Sequence, residues 1–75
     1  MIGLQVNGRR IELPGPTPLL DYLRELGIDA RAVAVEVGGE ILEREQYPSR
    51  ILRDSDVVEI VRMVGGGVAA ADLDL

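Results

Sequence analysis

A single stretch of this chain, from Thr17 to Gly27, has the spacing of apolar residues that a helix requires. Leu19, Leu23 and Leu26 recur at intervals of three and four residues, so they form one stripe on a helix of roughly ten residues. Thr17 can cap the start of this helix, and Gly27 is a favourable residue at its end. An amphipathic helix of this kind must cover a second apolar surface, which the rest of the chain has to supply.

The remaining apolar residues alternate with polar ones, which is the period of half-buried strands. The first two runs are separated by Asn7-Gly8, a dipeptide that is a strong signal for a tight hairpin. Further runs cover residues 32–37, 40–43 and 57–63, and the last of them is rich in β-branched residues. The sequence therefore predicts a small α+β domain, with the first and last strands side by side at the centre of the sheet.

Length and composition narrow the functions that such a domain can have. With 75 residues, no cysteine and no histidine, the chain lacks disulfides, thiol chemistry and the commonest general base, so we expect no enzyme and no metal site. A net charge of -5 disfavours nucleic acid and favours a positively charged protein partner. No apolar run is long enough to span a bilayer, and no signal peptide is recognisable, so we expect a cytoplasmic protein.

The character of the chain changes after Val64. Gly65, Gly66 and Gly67 have no side chains to pack, and residues 68–75 are mostly alanine and aspartate. We therefore expect a folded domain at 1–64 and a flexible tail at 65–75.

Several segments occur together in an order that resembles the ThiS type of sulfur carrier from thiamin biosynthesis. They are Val6-Asn7-Gly8, Leu26-Gly27-Ile28, Val33-Ala34-Val35-Glu36-Val37, Asp54-Ser55-Asp56-Val57-Val58 and Val64-Gly65-Gly66-Gly67. The resemblance covers nearly all of the folded part, and it implies a β-grasp, ubiquitin-like fold with a mixed sheet of about five strands and one main helix.

The resemblance also implies a reaction cycle in which the carrier is a co-substrate and binds no cofactor of its own. An E1-like adenylating enzyme activates the carboxylate of Gly67 with ATP, and a sulfur donor such as a cysteine desulfurase supplies the sulfur. The product is a thiocarboxylate at the end of Gly65-Gly66-Gly67, which thiazole synthase then consumes. Leu52, Ile60 and Met63 are candidate apolar residues for docking on these partners.

The chain departs from the family pattern because it continues past the glycines. With Val68 attached, the carbonyl of Gly67 is an amide and has no carboxylate to adenylate. We therefore expect a protease to remove residues 68–75 before the chain can accept sulfur. Ser55 stands where the family usually has glycine, so we expect slight strain in its turn if its φ angle is positive.

Two other functions are compatible with the same residues. Carriers that serve molybdopterin synthesis, tRNA thiolation or cysteine synthesis share the glycine chemistry, so the glycine segment does not separate them from a thiamin carrier. A β-grasp interaction module with an inert glycine segment is the alternative from a different class, and it predicts that no truncated form ever becomes a thiocarboxylate.

Overall fold

A mixed β-sheet covered on one side by a helix is the framework of the protein. The computed structural model describes residues 1–64 and 68–72. The strands are β1 (Ile2–Val6), β2 (Arg9–Leu13), β3 (Thr17–Pro18), β4 (Val33–Val37), β5 (Glu40–Ile41), β6 (Ile51–Leu52), β7 (Val57–Val64) and β8 (Val68–Asp72). The helix is α1 (Leu19–Glu25), and single 3-10 turns cover Ala30–Ala32 and Arg44–Gln46.

The sheet has the strand order β2-β1-β7-β4-β5, with β8 paired to β7 in addition. β1 and β7 run parallel, whereas β1 with β2, β7 with β4, and β4 with β5 run antiparallel. The first strand and the strand that precedes the glycines therefore lie side by side at the centre, as the sequence predicts. The expected mixed sheet of about five strands with one main helix is confirmed.

The hairpin between β1 and β2 depends on a turn with two positive φ angles. Asn7 has a φ of 50° and Gly8 a φ of 80°, which is the conformation of a type I′ turn. Few residue types adopt this conformation at low cost, and asparagine followed by glycine is the preferred pair. The Asn7-Gly8 dipeptide therefore sets the register in which Val6 pairs with Arg9.

The core lies between α1 and the inner face of the sheet. Among the residues whose side chains the structure describes, it consists of fourteen, namely Leu4, Val6, Leu13, Leu19, Tyr22, Leu23, Val33, Val35, Val37, Leu42, Tyr47, Leu52, Val58 and Ile60. Tyr47 is buried, and its hydroxyl donates a hydrogen bond to the carbonyl oxygen of Val33 at 3.4 Å. Its polar atom is therefore satisfied inside an otherwise apolar core.

The start of the helix differs from the prediction. Thr17 and Pro18 form strand β3, which pairs with Leu52 and Ile51 of β6, and the helix begins only at Leu19. The hydroxyl of Thr17 donates to the carbonyl oxygen of Gly15 at 2.9 Å, so Thr17 does not cap the helix. Sequence spacing missed this two-stranded pair because each strand has only two residues and shows no periodicity. Among the described residues no helix is long and apolar enough to cross a membrane.

The different burial of Ile60 and Ile41 predicts that the same substitution lowers stability by different amounts at these two positions. We expect Ile60→Val to lower the free energy of unfolding by about 0.5–1.5 kcal/mol, because Ile60 is 0% exposed and the lost methylene leaves a cavity. The same change at Ile41, which is 72% exposed, should alter it by less than about 0.5 kcal/mol. Urea unfolding of both variants measures the difference, and equal losses would contradict the assignment of Ile60 to the core.

Candidate functional site

The candidate site is the end of β7, because the glycine segment follows directly from it. Gly65, Gly66 and Gly67 themselves lie outside the described residues. β7 is a central strand, and its side chains Val58 and Ile60 are 0% exposed in the core. The residues ahead of the glycines therefore continue a central strand that is anchored in the core at Val58 and Ile60.

The start of β7 is anchored to β1 by the turn at Asp54, Ser55 and Asp56. The backbone N–H of Gly3 donates to Asp54 Oδ1 at 2.8 Å, and the N–H of Ser55 donates to the carbonyl of Gly3 at 2.7 Å. Asp56 Oδ2 accepts the N–H of Arg53 at 2.8 Å. Both carboxylates therefore stabilise the turn. Ser55 has the positive φ of 70° at which we expect slight strain.

Asn7 supports β7 beyond the point where β1 ends. β1 pairs with β7 only as far as Val58. The Asn7 side chain then accepts the N–H of Ile60 at 2.7 Å through Oδ1 and donates to the carbonyl of Ile60 at 3.0 Å through Nδ2. The Asn7 carboxamide thus makes the two hydrogen bonds that the backbone of a further β1 residue would otherwise make to Ile60. The sequence pattern predicts only a turn role for Asn7. The signal for this second role is an asparagine at the end of a central strand.

Strand β8 covers the next part of the same edge of β7. Val61 pairs with Asp72, Arg62 with Ala71 and Val64 with Val68, with a register shift between Arg62 and Met63. The structure thus has a strand at residues 68–72, within the predicted tail of 65–75, while residues 65–67 and 73–75 lie outside the described part. The physical reason is that β7 extends past β1, so its unpaired N–H and C=O groups can accept another extended segment.

Two of the three predicted docking residues are in the core. Leu52 and Ile60 are both 0% exposed, so a partner cannot contact them in this structure, and their assignment as docking residues is corrected. Hydrophobic residue type misled the prediction, because it does not distinguish the two faces of a strand. Met63 is half-buried and remains a predicted docking residue.

Asp29 and Arg31 form a surface ion pair near the end of β7. Asp29, Arg62 and Met63 border a shallow depression. Asp29 accepts hydrogen bonds from the backbone N–H of Arg31 at 2.9 Å and from its guanidinium at 3.2 Å, and these bonds hold the pKa of the Asp29 carboxyl below its ordinary value. Because the pair is exposed, it contributes little to stability. The Asp29 carboxylate caps the 3-10 turn Ala30–Ala32 that precedes β4.

Comparison with protein families agrees with this geometry. The model of the ThiS family matches residues 4–67, and its match ends at the last of the three glycines behind β7. The chain belongs to the ThiS family. The family match thus extends from Leu4 in β1 through β7 to the glycine segment, and it excludes all residues of β8.

Two relatives that cover most of the chain are named sulfur carriers. The sulfur carrier protein ThiS of Thermus thermophilus is 40% identical over 62 residues, which are 83% of this chain and 95% of that protein. The sulfur carrier protein ThiS of Bacillus subtilis is 38% identical over 65 residues, or 85% of this chain and 98% of that protein.

A third relative is a much longer protein. A thiazole synthase of Paramagnetospirillum magneticum is 38% identical over 69 residues, which are 92% of this chain but only 21% of that protein. The region similar to this ThiS chain is therefore a minor part of that thiazole synthase polypeptide.

A solved structure supports the fold. The crystal structure of the thiamine biosynthesis protein ThiS from Geobacter metallireducens has a TM-score of 0.78 and 35% sequence identity. The similarity covers 88% of this chain and 100% of that one. The β-grasp fold implied by the sequence is therefore confirmed.

The two bonds of the Asn7 side chain yield a prediction about stability. We expect Asn7→Gly to lower the free energy of unfolding by about 1–3 kcal/mol, because glycine keeps the positive φ but leaves the N–H and C=O of Ile60 without this partner. Ser55→Gly is the matched control, since it also places glycine at a positive φ, and it should be neutral or stabilising. Thermal unfolding checks both, and equal effects would contradict the role of the carboxamide.

The pairing of β8 yields a prediction about hydrogen exchange. Because Ile60 turns its N–H toward Asn7, alternation along β7 turns the N–H groups of Arg62 and Val64 toward β8. We expect deletion of residues 68–75 to raise their exchange rates toward those of unprotected amides, while Val58 stays protected. Amide exchange measured by NMR gives the answer, and unchanged protection at Arg62 would contradict the strand pairing.

Proposed function

We propose that this chain is a sulfur carrier protein of thiamin biosynthesis, which carries sulfur as a thiocarboxylate on Gly67. One observation carries the proposal: the family match begins in β1, runs through β7 and ends at Gly67, the third glycine behind the central strand. Relatives of nearly the same length are named sulfur carriers, which favours the thiamin carrier over carriers for molybdopterin, tRNA thiolation or cysteine synthesis.

The chemistry requires little from the carrier's own side chains. A free Gly67 carboxylate attacks the α-phosphorus of ATP in the adenylating enzyme, and pyrophosphate leaves. Hydrosulfide, or the terminal sulfur of a donor persulfide, then attacks the acyl carbon, and AMP leaves. With a persulfide, a thiol reductant must afterwards split the S–S bond. Glycines suit this role because they lack Cβ atoms, so the enzyme's backbone can enclose the terminus closely.

The residues beyond Gly67 must be removed for this cycle. While Val68 is attached, the acyl carbon of Gly67 is part of a peptide bond and ATP cannot activate it. Val68 is also the first residue of β8, which is paired to β7. We propose that a protease cuts after Gly67, which both creates the carboxylate and separates β8 from the chain.

Thiazole synthase is the proposed acceptor of the sulfur. The support is the thiazole synthase polypeptide that contains a region similar to this chain. Joining two proteins in one polypeptide raises the effective concentration of one at the other. Such an arrangement is useful when the two proteins act on each other.

A form ending at Gly67 tests the function directly. Incubated with the adenylating enzyme, ATP and sodium sulfide, it should exchange one terminal oxygen for sulfur, and intact-protein mass spectrometry detects the change. Two controls should stay unmodified: the chain with residues 68–75 retained, and the Gly67 form with an amidated terminus. Absence of an acyl-adenylate on the free Gly67 form would refute the carrier function. The remaining alternative would then be a β-grasp interaction module with an inert glycine segment.

Processing is tested separately in the native cell. Under thiamin starvation, the main species of the protein should end at Gly67, because only that form can accept sulfur. Mass spectrometry of the purified protein reads the C-terminus. A dominant species that still contains residues 68–75 would contradict the cleavage while leaving the chemistry of the truncated form intact.

A further inference from the structure

The outer face of the sheet, turned away from α1, carries exposed apolar side chains. Side chains alternate along β4 and β7, so Val35 and Ile60 enter the core whereas their neighbours point outward. Ile41 is 72% exposed and Val57 is 46% exposed. The apolar residues on this outer face are Ala34, Ile41, Val57, Val61 and Met63.

A shallow depression of about 120 Å³ lies on this face across β7, β4 and β5. Its lining residues are Ala34, Val35, Glu36, Ile41, Glu59 and Val61. Its outward-facing apolar residues, Ala34, Ile41 and Val61, are here called its rim, and among the described residues the two glutamates are the only charged ones in its lining. We name this depression with its rim the outer patch.

The two glutamates of the outer patch lie directly opposite each other. Glu36 pairs with Glu59 in the antiparallel ladder of β4 and β7, and residues in such a position have Cβ atoms about 5 Å apart. Both side chains are half-exposed, and neither has a hydrogen bond or ion pair with another described residue. Like charges in this position destabilise a sheet, so the pair is unfavourable in the isolated chain.

A guanidinium group fits the outer patch better than other cations. Its planar fork of donors can bind two neighbouring carboxylates at once, and it is weakly hydrated, so it tolerates an apolar surround. A divalent metal ion would need several further oxygen ligands, but the neighbours of the pair are Ala34, Ile41 and Val61. The apolar rim would exclude water from the bound guanidinium and thereby strengthen its attraction to the glutamates.

We propose that the outer patch is a docking site for an arginine of the protein partner, bound between Glu36 and Glu59 with its stem on Ile41 and Val61. This inference rests on the proposed function, which makes the adenylating enzyme the partner. The net charge of -5 attracts a basic surface from a distance, and the glutamate pair then sets the position of contact. The same residues therefore lower the stability of the free carrier and raise the affinity of the complex.

The first test uses the full chain alone. Glu36→Gln and Glu59→Gln should each raise the Tm by a few degrees, because either change removes the repulsion. The double variant should gain little more than one single variant, since the repulsion is already gone. Glu25→Gln, an equal change of charge on α1, should have a smaller effect. If neither glutamate variant is more stable than the wild type, the pair is not repulsive and the proposal is overturned.

The second test measures binding of the form that ends at Gly67, as wild type and as each variant, to the adenylating enzyme by calorimetry at several salt concentrations. Each glutamine variant should bind about tenfold more weakly and with less dependence on salt, while Glu25→Gln binds like the wild type. Ile41→Ser should also weaken binding without lowering the Tm, because Ile41 is exposed. Wild-type affinity in both glutamine variants would overturn this inference and leave the carrier function standing. A wild-type chain that does not bind the enzyme at all would overturn both.

Discussion

The parallel pairing of β1 with β7 is the contact on which the position of the glycine segment depends. It joins the two ends of the folded sequence, since Val6 lies beside Val58. A parallel pair cannot be closed by a tight turn, so the helix and β4 must lie between its two strands in the sequence. The Asp54 turn bonded to Gly3 and the Asn7 carboxamide bonded to Ile60 secure the two ends of this contact. The residues just ahead of the glycines therefore belong to a strand that is secured at both ends of its contact with β1.

The edge of β7 that faces β1 is shared by three different partners. Backbone pairing with β1 covers Val57 and Val58, the Asn7 side chain serves Ile60, and β8 pairs from Val61 onward. The first two partners belong to the part of the chain that matches the family, whereas β8 lies beyond it. The last part of the edge is thus the one whose pairing depends on residues that follow the glycines.

The two faces of the sheet have opposite roles. The inner face buries Val35, Val58 and Ile60 under the helix and provides most of the hydrophobic stabilisation. The outer face keeps Ile41 exposed and sets Glu36 against Glu59, neither of which favours the isolated fold. Features that lower stability without serving the fold are typical of surfaces selected for binding, where some stability is given up for function.

Local patterns in the sequence were sufficient for the main elements. Alternation predicted β1, β4 and β7, the spacing of Leu19 and Leu23 predicted the helix, and Asn7-Gly8 predicted the hairpin, because each signal arises from neighbouring residues. The ordered motifs together with the glycines also indicated the family. The short β3–β6 pair escaped prediction, since two-residue strands show no period.

What remained for the tertiary structure was everything that joins distant residues. Sequence alone could not show that Leu52 and Ile60 face the core, that Asn7 bonds Ile60, or that Glu36 stands opposite Glu59. These facts depend on which strands are neighbours and in which register, and a shift of one residue would turn every side chain to the other face. The sequence by itself thus determined the secondary-structure elements and the glycine segment, because both depend on neighbouring residues. Strand pairing decided which side chains are exposed to a partner.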